Sequence, residues 1–293
     1  MFEKGVIFIN KLHIAKNSLQ ETLIVPLYGR KICSEKFPDL YSDLSANQLC
    51  NSLDYDFSEL EKKKNSLLYE FGALEAAMRQ LDFIWEIKKY LEKYPYATIV
   101  NLGCGLDETG KFCDNGLCKI VNIDFPDVIS LRNKLIPSGP REVNISCDLK
   151  NFCWMNKLNN TEGIILFAAG VFHYFKRSEV EYLLLELSKK FKNACIIFDT
   201  VGKFGIKLMK TTLKNMNISN VKGLFYLDNP KRELNLSNNI KVSSKPYMLG
   251  YYNMKCRNIK ISHRILAKLC DSILKMNIVK ISSMSTIGES SEN

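Results

Sequence analysis

The sequence predicts an α/β fold: a mainly parallel, seven-stranded sheet with helices on both faces. Three observations point there. Short apolar runs alternate with stretches whose apolar residues recur every three or four positions, the pattern of strands alternating with helices in βαβ units. The first run, "ATIVNL", leads directly into a glycine-containing loop, "GCGLDETG". Apolar residues make up 46% of the 293, enough to fill a core and too many for a disordered chain.

Taken in order, residues 1–65 are the least periodic and are expected to form helices and a loop that cover one edge of the sheet, an N-terminal lid segment. Leu67, Phe71, Leu74, Met78, Leu81, Ile84, Ile87 and Leu91 then mark a long amphipathic helix over 66–92 that ends at Tyr94-Pro95. Strands are expected at 97–102, 118–123, 141–147, 163–169 and 194–200, with helices at 126–136 and 178–192. The second of these helices opens on Ser178-Glu179-Val180-Glu181, read as a capping box, and carries Val180, Leu183, Leu184, Leu187 and Phe191 on one face. A helix over 203–222, a strand over 240–252, a helix over 258–276 and a strand over 277–283 complete a main domain of residues 66–283. The polar end, 284–293, reads as a flexible tail.

Composition narrows the function classes. None of the ten cysteines forms a Cys-x-x-Cys pair; Cys113 with Cys118, and Cys147 with Cys153, lack partners at zinc-ligand spacing, and there are only three histidines. No metal site is expected. Scattered thiols, four consecutive apolar residues at most in "MFEKGVIFIN", and no run of membrane-spanning length describe a cytoplasmic protein that does not enter a membrane. The net charge is +10, and residues 203–280 alone carry +13. An acidic partner such as RNA would suit that stretch, but it has no arginine cluster or basic–aromatic interleaving, so a solvated lysine-rich surface is the favoured reading.

The glycine loop identifies the ligand class. Gly103 and Gly105 let the backbone approach a ligand beyond the strand end. The third glycine of a dinucleotide loop is missing, and Asp107 and Glu108 would repel a diphosphate at the following helix N-terminus. S-adenosylmethionine has an adenosine without phosphates and carries two cationic groups, so these acids would favour it. Asp124 ends the second strand 19 residues after Gly105, where a carboxylate meets ribose hydroxyls, and Asp148 after the third strand is placed to accept the adenine amino group.

"GCGLD", "IDFPDVISLRNKLIP", "CDLKNFCWM" and "AAGVFHYF" resemble, in order and spacing, the leucine carboxyl methyltransferase/TcmP-like family of class I methyltransferases. "ETLIVPLYGR", "MRQLDFIWEIKKYL" and "KPYMLGYY" are similar to further segments of that family, so the resemblance spans roughly residues 15–283. It implies a Rossmann-like class I methyltransferase fold and transfer of a methyl group from S-adenosylmethionine to a carboxylate or hydroxyl oxygen. By motif, Arg79 would pair with the cofactor's carboxylate, Gly103, Cys104 and Gly105 would form its loop, Asp124 and Phe125 would meet the ribose, and Asp148 and Leu149 the adenine. Two departures stand out: Ala169 occupies the place where many relatives have Glu facing the cofactor's ammonium, and Asp107-Glu108-Thr109 replaces Asp-Thr-Arg.

A carboxylate acceptor needs no base, whereas a hydroxyl does. His173, with Tyr174 beside it, is the candidate base, its alternative being a packing histidine under the lid. Tyr28 and Arg30 in the lid segment and Tyr247 and Tyr251 in the late strand are candidate substrate residues, each with an anchoring or core-packing alternative. The leading expectation is a small-molecule O-methyltransferase with an acidic or hydroxylated acceptor. The alternatives are a methyltransferase of a protein C-terminal carboxylate or of tRNA, and a cofactor-binding scaffold without catalysis, which Ala169 keeps open. Nothing in the sequence speaks to the oligomeric state.

Overall fold

The central strands are apolar from end to end because both of their faces are covered. In the computed structural model, β1 (Thr98–Leu102), β4 (Ile164–Ala168) and β5 (Cys195–Thr200) are buried at every residue, as expected of parallel strands between two helical layers. β2 (Lys119–Asp124) and β3 (Glu142–Ser146) continue the sheet on one side, and β6 (Ile240–Pro246) and β7 (Asn277–Ser283) on the other. The strand order is β3-β2-β1-β4-β5-β7-β6, with β7 antiparallel to both neighbours. The structure describes residues 11–14, 19–191, 194–215, 224–234, 236, 240–252, 254 and 257–283; the tail expected at 284–293 and the last part of the helix expected at 203–222 lie outside these.

Among the described residues, three shorter α-helices come ahead of the long helix that leads into the sheet: α1 (Ile24–Lys36), α2 (Leu44–Ser52) and α3 (Ser58–Lys63). The long helix is α4 (Leu67–Lys93), followed by α5 (Thr109–Phe112), α6 (Pro126–Leu135), α7 (Arg177–Lys190), α8 (Lys203–Asn215), α9 (Pro230–Glu233) and α10 (Ile261–Ser272). A short parallel pairing of Leu12–His13 with Leu53–Asp54, which periodicity does not reveal, lies apart from the main sheet. Phe71, Leu74, Met78 and Ile87 of α4 join residues of α1, α2 and α10 in one core, while Val180, Leu183, Leu184 and Leu187 of α7 pack with Trp154 and Phe172 in the other. Glu70 of α4 receives Lys36 and Lys260 at 2.9 Å each, and His263 lies 3.2 Å away, so one carboxylate ties α1 and the start of α10 to α4.

Boundaries differ from the sequence reading most plainly at three elements, one of them α10, which spans Ile261–Ser272 rather than 258–276. α7 begins at Arg177, and the carboxylate that caps it is Glu179, which accepts from the Lys176 backbone N–H at 2.8 Å; Ser178 lies inside the first turn. β6 ends at Pro246 rather than running to 252, because the Asp271 carboxylate draws the chain off the sheet by accepting from the backbone N–H groups of Met248 and Leu249 at 3.0 and 2.9 Å. Pro246 itself is tolerated because β6 is an edge strand.

Candidate active site

The strand order reverses between β1 and β4, which opens a crevice beyond their C-terminal ends. A cleft enclosing about 580 Å³, counting its open mouth, lies there between Arg79 and Gln80 of α4, the Gly103–Asp107 loop, Ala169 after β4, and Leu23, Leu27 and Arg30 at and around the start of α1. Most of this is open mouth: the enclosed cavity itself holds about 90 Å³, less than the roughly 300–1,000 Å³ of most small-ligand sites. Gly105 has φ +48°, which favours glycine, and a Cβ there would lie 2.8 Å from the Leu23 Cδ2, so any other residue would also have to push that side chain aside.

Arg132 of α6 holds this loop from beneath. Its guanidinium is buried and donates to the carbonyls of Gly105 (3.0 Å) and Asp107 (2.6 Å), while Nη2 lies 3.4 Å from Glu142. Asp107 accepts from Gln80 (2.8 Å), Asn101 (3.1 Å) and the Thr109 hydroxyl (2.8 Å), and stands 3.7 Å from Arg30. Glu108 is buried and pairs with Lys111 at 3.2 Å. The two acids of the loop therefore have built-in partners, and of the two only Asp107 lines the cleft.

At the other end, β5 contributes a residue that the sequence reading passed over. Asp199 is buried; its Oδ1 accepts from Gly170 N–H at 2.6 Å, and its Oδ2 accepts from Arg79 Nη1 at 3.1 Å with His173 Nε2 at 3.4 Å. Burial alone would raise its pKa, but the Arg79 guanidinium and His173 outweigh that and hold the carboxyl well below the usual range. Gly170 leaves room for the arginine: a Cβ there would sit 3.0 Å from Arg79 Nη1. Tyr247 donates to Glu75 at 3.1 Å in the same neighbourhood, and burial raises the pKa of both groups. Tyr174 reaches Thr22, just before α1. His173 Nδ1 is buried and has no hydrogen-bond partner among the described residues.

The structure thus brings together Arg79, Gly103, Cys104, Gly105, Ala169 and Arg30 around the cleft. Asp124 borders the loop: its two oxygens accept from Gly105 N–H and Phe125 N–H, each at 2.8 Å. Burial raises its pKa against those two hydrogen bonds. Phe125 and Asp148 are exposed on the same side, and the Leu149 side chain packs into the core. Other candidates are turned elsewhere. Tyr28 stacks on Phe57, within the packing of the N-terminal helices. Arg30, though in the cleft wall, is occupied by Asp43 (3.2 Å) and the Leu106 carbonyl (3.1 Å) and fastens α1 to the glycine loop. Tyr251 donates to Glu86 at 2.8 Å and packs on Trp85, away from the cleft. Gln80, Asn101, Arg132 and Asp199 escaped the sequence reading; only Asn101 and Asp199 leave a signal, as polar residues interrupting the apolar runs "TIVNL" and "CIIFDT". Among the described residues, no three His, Cys, Asp or Glu side chains converge to hold a metal, and no helix is long and apolar enough to cross a membrane.

No protein-family profile matches the chain. Over 199 residues it is 25% identical to the tetracenomycin polyketide synthesis O-methyltransferase TcmP of Streptomyces glaucescens, covering 67% of this chain and 71% of that protein. The chain is similar to TcmP. The TcmP-like resemblance read from its motifs is borne out by this match. Among solved structures, the plantazolicin methyltransferase BamL, in complex with a triazolic desmethylPZN analog and SAH, superposes with a TM-score of 0.50 at 13% identity, over 92% of this chain and 100% of its own. The chain shares a Rossmann-like fold with that solved structure, as the sequence predicts.

Proposed function

We propose that this chain is an S-adenosylmethionine-dependent O-methyltransferase acting on a small molecule with a free hydroxyl. The observation that carries the proposal is the cleft at the strand-order switch, with a glycine loop on one wall and a half-buried, charge-paired Arg79 on the other. The likeness to TcmP, an O-methyltransferase of polyketide synthesis by name, supports the reaction class. Membership of the wider leucine carboxyl methyltransferase family is part of this proposal and rests on the motifs. The free thiols, seven of the nine described being buried, support a reducing, cytoplasmic setting.

The groups around the cleft fit the cofactor's parts. Arg79 offers a planar guanidinium to a carboxylate, already oriented by Asp199. Each Asp124 oxygen retains a lone pair for a ribose hydroxyl, and we assign exposed Asp148, just after the neighbouring strand, to the adenine amino group. Asp107 is the acid in the cleft wall and offsets the absence of a carboxylate at Ala169. The cofactor supplies an electrophilic methyl group on sulfonium. The chain's task is to align the acceptor oxygen with it and exclude water, which the roof of Leu23 and Leu27 assists. His173 Nε2 lies 3.4 Å from Asp199; with the proton on that nitrogen, Nδ1 keeps a lone pair. We infer that this nitrogen, buried outside the cleft lining, takes the proton of a hydroxyl once the site opens around an acceptor. A carboxylate acceptor would have no use for that pair, and this favours a hydroxyl.

Calorimetric titration with S-adenosylmethionine, with NAD as control, tests the proposal. Micromolar binding of the first alone is expected, weakened roughly tenfold or more by Arg79→Ala. Absence of binding, or preference for NAD, refutes it.

A further inference from the structure

Among the described cysteines, seven are buried, and burial pushes the thiol pKa up to about 11 for Cys50 and about 12 for Cys113, Cys195 and Cys270. Such thiols are inert at neutral pH. Cys147 and Cys153 differ in access: burial raises the pKa of the Cys147 thiol too, but it is only half-buried, Cys153 is exposed, and their sulfurs lie 3.8 Å apart. The turn between them is tightly built. Asn151 N–H donates to the Asp148 carbonyl at 2.9 Å, Lys150 N–H to the Asp148 carboxylate at 2.9 Å, and the indole of buried Trp154 to the Leu149 carbonyl at 3.2 Å. Cys147 N–H donates to the Asp124 carbonyl at 2.8 Å, which ties one end of the turn to the strand end that carries Asp124.

We propose that Cys147 and Cys153 form a reversible dithiol–disulfide site that senses low-molecular-weight disulfides and, when oxidised, weakens binding in the adjacent cleft. The first half stands on the sulfur geometry alone, while the second rests on the cofactor reading above. The chemistry balances as an exchange. The Cys153 thiolate attacks one sulfur of the small disulfide and expels one thiolate. Cys147 then attacks the Cys153 sulfur and expels the second. Two electrons pass to the small disulfide, which leaves as two thiols after taking up the two cysteine protons. The sulfurs are already in van der Waals contact and must close by roughly 1.8 Å to reach bonding distance. Cys147 is tethered to Asp124 and Trp154 is fixed in the core, so the turn carrying Asp148 and Leu149 takes up the movement. In a cytoplasmic setting such a bond would be transient, as redox-sensing disulfides are.

The test incubates the full chain with oxidised glutathione, blocks remaining thiols with a maleimide, and maps tryptic peptides. The expected product joins the peptide ending at Lys150 to the peptide ending at Lys157, and dithiothreitol reverses it. S-adenosylmethionine titration of reduced and oxidised protein should show at least a fivefold loss of affinity on oxidation, absent in Cys153→Ser. Mixed glutathione adducts without the crosslink overturn the site. A crosslink with unchanged affinity overturns its coupling to the cleft. Formation of the crosslink in a protein that binds no S-adenosylmethionine when reduced leaves the redox site standing and removes the cofactor reading.

Discussion

Asp82 offers the sharpest stability test. It sits on α4, fully buried, with neither carboxyl oxygen hydrogen-bonded among the described residues. Burial pushes its pKa up to about 10, with Asp271 and Glu86 adding to the rise and Lys245 opposing it. The folded chain therefore holds a proton at neutral pH that the unfolded chain, with an ordinary aspartate pKa of about 3.9, has released. A raised carboxyl pKa contributes stability that is complete below about pH 4 and declines as pH rises toward the folded pKa. Across pH 6–8 the unfolded state binds one proton fewer, so this residue lowers stability by about 1.4 kcal/mol per pH unit. Over two units that is about 2.8 kcal/mol, a large share of a total of typically 5–15 kcal/mol. Asp82→Asn carries no titrating group. Urea unfolding of both proteins at pH 6, 7 and 8 should show the variant gaining on the parent by about 1.4 kcal/mol per pH unit. The amide shifts the absolute stability of the variant but not this slope. Stability differences that stay constant across the three pH values would mean that Asp82 is ionised in the fold, and would refute the reasoning.

Two further substitutions address the cleft. Asp124→Ala should weaken S-adenosylmethionine binding by roughly 1–3 kcal/mol, the cost of losing hydrogen bonds to a charged acceptor; an unchanged dissociation constant in a folded variant would remove Asp124 from the site. Arg132→Met should lower unfolding free energy by about 3–5 kcal/mol, because it strips buried Glu142 of its cation and frees the Gly105 and Asp107 carbonyls. Denaturant unfolding checks the loss, and a change below about 1 kcal/mol would show that Arg132 is no support for the loop.

The fold was legible in the sequence because its signal is local. Runs such as "GIILFA" and the repeats of α4 and α7 state their own period and length, and the strand–loop–strand spacing from Gly105 to Asp124 locates the switch point. The residues that organise the cleft are legible only where they break a pattern. Asn101 and Asp199 do so by interrupting apolar strands. Arg132 does not, since an arginine on a helix with exposed neighbours reads as a surface residue until the fold turns it under the glycine loop. Arg30 and Asp43 find each other across a helix junction that periodicity cannot orient, so a residue that looked free for substrate is a buried fastening. The same holds for Tyr28 and Tyr251, whose partners Phe57 and Glu86 lie far away along the chain. Pairings between distant segments carry no period of their own.

The packing of Leu23 against the Gly105 loop has a bearing on timing. A ligand that lies along that glycine has to displace the Leu23 side chain, just ahead of α1, a helix that Arg30 clamps through Asp43 and the Leu106 carbonyl. Seating a ligand fully against Gly105 then requires Leu23 to yield, and an observed association rate that levels off at high ligand concentration would show that step. The same gate stands in the way of the spent cofactor as it leaves. On the proposed function, a variant that loosens the clamp is expected to bind more weakly and to release the spent cofactor faster, which stopped-flow release kinetics would check.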